Sequence, residues 1–184
     1  MKKIFIFGVS FISCFPVYAQ ELQCSKNYLL FEKMMEDKMM IMKNGNFEEV
    51  LRFKDKYAYS TLFDSKHLGK MFTGVKWVSP EEYADRVKRV MDDVKSGFIV
   101  DDGNKLFPIK YNGILSAGEV CVIPVEAWFI INGKEKLDRK YTIYVRNLKT
   151  NEWRALIYSD YISKDDFNEF FPDFPKNIDL SKVD

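Results

Sequence analysis

The chain is poor in the residues that carry most enzyme chemistry. It holds one histidine and three cysteines in 184 residues. His67 sits in Ser65-Lys66-His67-Leu68-Gly69, with no cue that pairs it with a nucleophile, so it reads as an exposed loop residue rather than the base of a triad. With Cys14 set aside as part of the N-terminal leader described below, two cysteines and a single histidine cannot complete a four-ligand zinc site without carboxylates. No phosphate-binding glycine loop, Gly-x-Ser-x-Gly elbow, His-Glu-x-x-His or Cys-x-x-Cys occurs. Charge of one sign is also missing: 28 Lys and Arg face 27 Asp and Glu, which argues against a general binder of nucleic-acid phosphates. No apolar run reaches the length of an ordinary transmembrane helix. The acid pairs Asp92-Asp93, Asp101-Asp102 and Asp165-Asp166 fit a solvated helix face, a turn and a helix first turn. A calcium loop needs more alternating oxygen ligands than these supply. No catalytic residue, metal or cofactor is therefore assigned.

What is present begins with a leader. Met1-Lys2-Lys3 is basic, Ile4 to Phe15 is almost wholly apolar, and Val17-Tyr18-Ala19 after Pro16 has small residues where a signal peptidase reads them. The pattern predicts a cleaved signal over residues 1–19, export to the periplasm, and one folded domain over 20–184. A rival reading takes Phe11-Ile12-Ser13-Cys14 as a lipobox with Cys14 lipidated. Loss of the leader leaves Cys24 and Cys121, and two cysteines in an exported chain are expected to pair. Two separate buried thiols are the alternative. A bridge closing about 100 residues is worth roughly 4–5 kcal/mol in the chain-entropy account.

The body of the chain predicts an α+β fold, with N-terminal helices packed on a curved antiparallel meander and a short C-terminal helix. Residues 25–43 carry Phe31, Met35, Met39 and Met42 at helical spacing, with Leu30 and Met34 beside them. The methionines there read as flexible core fillers rather than soft-metal ligands. Asn46-Phe47-Glu48-Glu49 predicts a capping box opening a helix to about Phe53, and Ser79-Pro80-Glu81-Glu82 opens another to about Lys95. That second helix should bury Tyr83, Val87, Val90 and Val94. Residues 57–78 are open between short strands and loop. Residues 98–111 suggest a hairpin turning at Asp101–Asn104. Long strands follow at Val120–Ile131, Leu137–Leu148 and Trp153–Tyr158, then a helix at Lys164–Phe170 and a polar tail.

Strand alternation puts Cys121, Ile123, Val125, Ala127, Phe129 and Ile131 on one face. Pairing Ile131 near Leu137 adds Tyr141, Ile143 and Val145 to it; a slip of one residue would exchange the sets of the second strand. The other face then gathers Glu126, Trp128, Tyr144, Arg146 and Trp153. Aromatics with arginine are typical of interface centres, so these five are the candidate binding residues. Glu126 and Arg146 are expected to pair there.

The layout resembles the nuclear-transport-factor-2-like (cystatin-like) α+β cone. The resemblance rests on a long first helix, the Gly45-Asn46-Phe47-Glu48-Glu49 step into a second, and a terminal meander with Trp153 near its last strand, over about 25–53 and 119–160. It implies functions ranging from isomerases to ligand binders, dimerisation modules and immunity proteins, and no isomerase-type residues can be carried onto this chain. The expectation is a non-enzymatic exported binder acting through the aromatic sheet face or a cone pocket. Its partner would be another protein, as for an immunity protein, a small apolar ligand, or a second copy in a homodimer, with no nucleic acid and no membrane span after cleavage. The alternative is a small hydrolase or isomerase using a buried carboxylate such as Glu126 as base.

Overall fold

Helices form where capping residues meet apolar periodicity. The computed structural model describes residues 21–59, 71–72, 77–158 and 162–180; the leader with Cys14, and His67, lie outside them. A 3-10 turn at Cys24–Asn27 leads into α1 (Tyr28–Asn44), which ends where the Gly45 N–H donates to the Ile41 carbonyl at 2.8 Å. The helix α2 (Phe47–Tyr57) starts in the capping box read from the sequence: Asn46 accepts from the Glu49 N–H at 3.0 Å, and Glu49 accepts from the Asn46 N–H at 2.8 Å. Its end lies one turn beyond Phe53. Between 57 and 78 the described pieces include a minimal antiparallel pair, β1 (Met71–Phe72) with β2 (Trp77–Val78). The helix α3 (Pro80–Lys95) has Ser79 as its cap, accepting from the Glu82 N–H at 3.2 Å. It buries Met91 and Val94 and leaves Val90 exposed, so its inner face is rotated from the one predicted.

The meander is a five-stranded antiparallel sheet: β3 (Ile99–Leu106), β4 (Tyr111–Leu115), β5 (Gly118–Ile131), β6 (Lys134–Arg146) and β7 (Trp153–Tyr158). The hairpin predicted at 98–111 is not formed. Asp101–Asn104 is a bulge inside one strand, with the register against β5 shifting between Asp101 and Gly103. Both β3 and β4 lie along the same edge of β5. A turn signal inside a strand whose partner is long enough to hold it becomes a bend rather than a reversal.

The β5–β6 register differs from the predicted one, and a turn explains it. Asn132 (φ 49°) and Gly133 (φ 73°) form a two-residue reversal with both residues left-handed, the geometry Asn-Gly favours. Ile131 therefore pairs with Lys134, Trp128 with Leu137 and Cys121 with Tyr144. The parity of β6 is exchanged. One face carries Cys121, Ile123 and Val125 with Thr142, Tyr144 and Arg146; the other carries Val120 and Val122 with Ile143 and Val145. Arg146 pairs with Trp153, which puts Trp153, Ala155 and Ile157 on the first face.

Both faces are covered, in part. The first face packs under α1: Phe31 stacks on Tyr144 at 3.9 Å between centroids and meets Trp153 edge-on at 5.0 Å. Cys24 and Cys121 are joined by a disulfide there, Cα atoms 5.9 Å apart. The second face is closed by α4 (Lys164–Phe170) and the segment after it. That segment is not a free polar tail. Phe171, Phe174, Ile178 and Leu180 pack against Val120, Val122, Tyr141 and Ile143, and Tyr59 stacks on Phe171 at 5.3 Å. Asp173 fastens the segment by accepting from the Ser116 N–H at 2.7 Å and its hydroxyl at 2.9 Å. Among the described residues no helix is long and apolar enough to cross a membrane.

Gly118 opens β5 at φ 127°, and a Cβ there would collide with the Arg146 carbonyl oxygen. Gly118→Ala combines left-handed strain with a backbone clash, so urea unfolding should show a loss of about 2–4 kcal/mol. A loss under about 0.5 kcal/mol would contradict this reading of the β4–β5 turn.

Candidate functional site

Among the described residues, the helix packing leaves a concave gap open. The first turns of α1 rest on the sheet through Phe31 and Met34. Its last turn instead packs on the other helices, Met42 lying with Val50, Met91 and Val94. Between these two clusters the middle of α1 stands off the sheet. The space beneath is a cavity of about 340 Å³. Its floor is Val125, Ala127 and Phe129 of β5, Lys140, Thr142 and Tyr144 of β6, and Ala155 and Ile157 of β7. Its walls are Met35, Lys38 and Met39 of α1, Phe53, Lys54 and Tyr57 of α2, and Tyr83 of α3. An adjoining hollow of about 300 Å³ shares Lys38, Met39, Phe129 and Asp138 and adds Lys136.

The polar groups in this wall are unevenly matched. Lys140 pairs with Asp138 at 2.6 Å. Lys54 is buried, with its ammonium 4.2 Å above the Tyr83 ring. Burial, and then the charge of Asp55, push the Tyr83 hydroxyl up to about 12. Lys38 has no ion pair or hydrogen bond among the described residues. Its side chain is solvent-accessible because it faces an open hollow. The protein mass around that hollow still lowers its pKa by desolvation, and the Lys140 charge lowers it further. Tyr144 is almost wholly buried, and its hydroxyl makes no hydrogen bond of normal geometry, the Thr142 hydroxyl being its polar neighbour. Burial, then the Glu32 charge, raise the Tyr144 pKa. Among the described residues no group of three or more His, Cys, Asp or Glu could hold a metal ion.

The five residues singled out in the sequence do not form one surface. Tyr144, Arg146 and Trp153 lie on the face beneath α1, and Glu126 and Trp128 on the opposite face, because of the exchanged β6 parity. Of the five, Tyr144 alone lines the cavity. Trp153 is core, packed on Phe31 with the Arg146 guanidinium 6.0 Å above its ring. Glu126 does not pair with Arg146. It sits directly across from Arg139 and accepts its Nε–H at 2.7 Å, outside the cavity. Trp128 is half-buried between Gly103 and Leu137, in an uncovered strip that includes Val100 and Leu137, each 42% exposed.

Arg146 is a structural anchor. Glu119 has no exposed surface; its carboxylate accepts from Arg146 Nε at 2.7 Å and from the Gln23 and Cys24 N–H groups at 2.7 and 2.9 Å. Arg146 donates onward to Asn151 Oδ1 at 2.6 Å and the Glu21 carbonyl at 3.1 Å.

Lys38, Lys54, Asp138 and Lys140 were missed as site residues. One signal was readable. Lys38 stands four residues from both Met34 and Met42, so a charge occupies the inward stripe of α1. The chain matches no protein-family model, no curated protein and no solved structure.

Removing one member of a fully buried pair strands the other. Arg146→Met should cost about 3–5 kcal/mol in chemical unfolding. Glu119→Leu with Arg146→Met should not restore stability, because the Gln23 and Cys24 N–H groups would lose their acceptor. Recovery to within about 1 kcal/mol of the native protein would show that the carboxylate does not hold the N-terminal segment.

Proposed function

We propose that this chain is an exported, non-catalytic binding protein that loses residues 1–19, works in the periplasm, and holds a small, largely apolar ligand in the cavity under α1. The observation that carries the reading is a 340 Å³ space walled mainly by methionine, aromatic and aliphatic side chains, lined also by Tyr144 with its unpartnered hydroxyl. Small-molecule sites are of this kind: concave, mostly apolar, with a few polar groups for orientation. A disulfide at Cys24–Cys121 is compatible with an oxidising compartment.

The order of elements supports the nuclear-transport-factor-2-like resemblance, in which helices rest on the concave side of a bent meander. A protein partner fits less well. The segment after α4 already covers part of the outer face, over Val120, Val122, Tyr141 and Ile143, and Glu126 beside Trp128 is engaged by Arg139. The enzyme alternative has less to support it: Glu126, its example of a base, lies outside the cavity, and Asp138, the carboxylate in the cavity wall, is ion-paired to Lys140.

Two measurements test this. Mass spectrometry of protein from its own cells should find a mature terminus at Gln20; a terminus at Met1 would refute export. The neutral probe N-phenyl-1-naphthylamine should fluoresce on binding the purified protein. That signal should be lost in Ala127→Trp and Ile157→Trp, which fill the floor at two points. An unchanged signal in both folded variants would place binding elsewhere.

A further inference from the structure

We propose that the occupant of this cavity is an amphipathic carboxylate, its single negative charge met by Lys38 and its chain lying along the methionine wall. The inference rests on the pocket reading above and names the chemistry of the ligand. The wall carries three lysines, Lys38, Lys54 and Lys140, against one carboxylate, Asp138. Asp138 is engaged by Lys140 at 2.6 Å, and Lys54 lies over the Tyr83 ring. Lys38 is left without an ion pair among the described residues and beside a second cation. Two cations side by side on the wall of a half-open, mostly apolar cavity repel, so an incoming anion gains what an incoming neutral group does not.

Hydrogen-bond inventory points the same way. The two unpartnered groups, the Lys38 ammonium and the Tyr144 hydroxyl, can both donate. An ionised carboxylate only accepts. A cationic or amine head would add donors where donors are already in surplus. One unmatched ammonium suits one negative charge, which favours a carboxylate over a phosphate dianion. Size sets the chain. At about 340 Å³ the cavity is at the small end of ligand pockets, which suits a medium-length alkyl chain with its head. The methionines along α1 supply adaptable apolar contact for it.

The experiment is calorimetric titration of the purified protein with decanoate, decanol, decyl phosphate and decyltrimethylammonium. The same ligands are titrated into Lys38→Met and Lys38→Arg. Native protein should bind decanoate at least tenfold more tightly than decanol and the cationic amphiphile not at all. Lys38→Met should bind decanoate and decanol alike, with decanol unchanged from native. Lys38→Arg should keep the preference. Equal binding of decanoate and decanol by native protein, or a preference that survives in Lys38→Met, overturns the head-group assignment and leaves the pocket standing. Tighter binding of decyl phosphate than of decanoate overturns the carboxylate. If no alkyl ligand binds and the neutral naphthylamine probe also fails, the pocket reading itself falls.

Discussion

A carboxylate sealed from water at the start of β5 governs the arrangement of the rest. A buried charge is tolerated only when its partners are complete, and the partners of Glu119 come from separate parts of the chain. Arg146 approaches from β6, and the N–H groups of Gln23 and Cys24 from the segment before α1. That segment cannot leave without stranding the charge. Held there, Cys24 lies against Cys121, two residues along β5 from Glu119, and the disulfide closes. Phe31, one further stretch of chain along, is delivered onto Tyr144 and Trp153. The placement of α1, and with it the cavity beneath its middle, follows from where its beginning is tied.

Much of this could be read from residues whose chemistry is local. Asn46 with Glu49, and Ser79 before Pro80, name their helix starts because the capping bonds involve only near neighbours. The strand limits at Ile131 and Trp153–Tyr158 were legible for a similar reason, since turn residues flank them. The face assignments of β6 were less so. Asn132-Gly133 is the strongest short hairpin signal in the chain, yet a five-residue link through Lys136 was equally consistent with the alternation of β6. A three-residue shift in the pairing, Ile131 meeting Lys134 instead of Leu137, is odd and so moved Tyr144 and Arg146 to the other side of the sheet. The sheet's parity depended on a single dipeptide.

The lysines of the cavity were hidden by a different effect. Lys140 follows the alternation of β6 and Lys38 the stripe of α1, so each occupies an inward position that a polar residue does not ordinarily take. Reading the stripe through its apolar members passed over the charged one between them. The same bias made the residues after Pro175 look like a polar tail, although Ile178 and Leu180 pack on the sheet face together with Phe171 and Phe174. Apolar residues in an irregular segment have no period to announce them. Their burial depends on the outer face of β5 and β6 needing a cover.

The wall that α1 presents to the cavity consists largely of unbranched thioether side chains, Met34, Met35, Met39 and Met42. Such chains have several rotatable bonds and shallow preferences among them. The hollow's outline can therefore change by torsion within the helix's side chains while the backbone, tied at the disulfide and packed at Val50 and Met91, stays still. A lining of this kind is compliant in shape but fixed in electrostatics. If the cavity takes a ligand as proposed, such a lining would sort occupants by polarity and tolerate variation in contour.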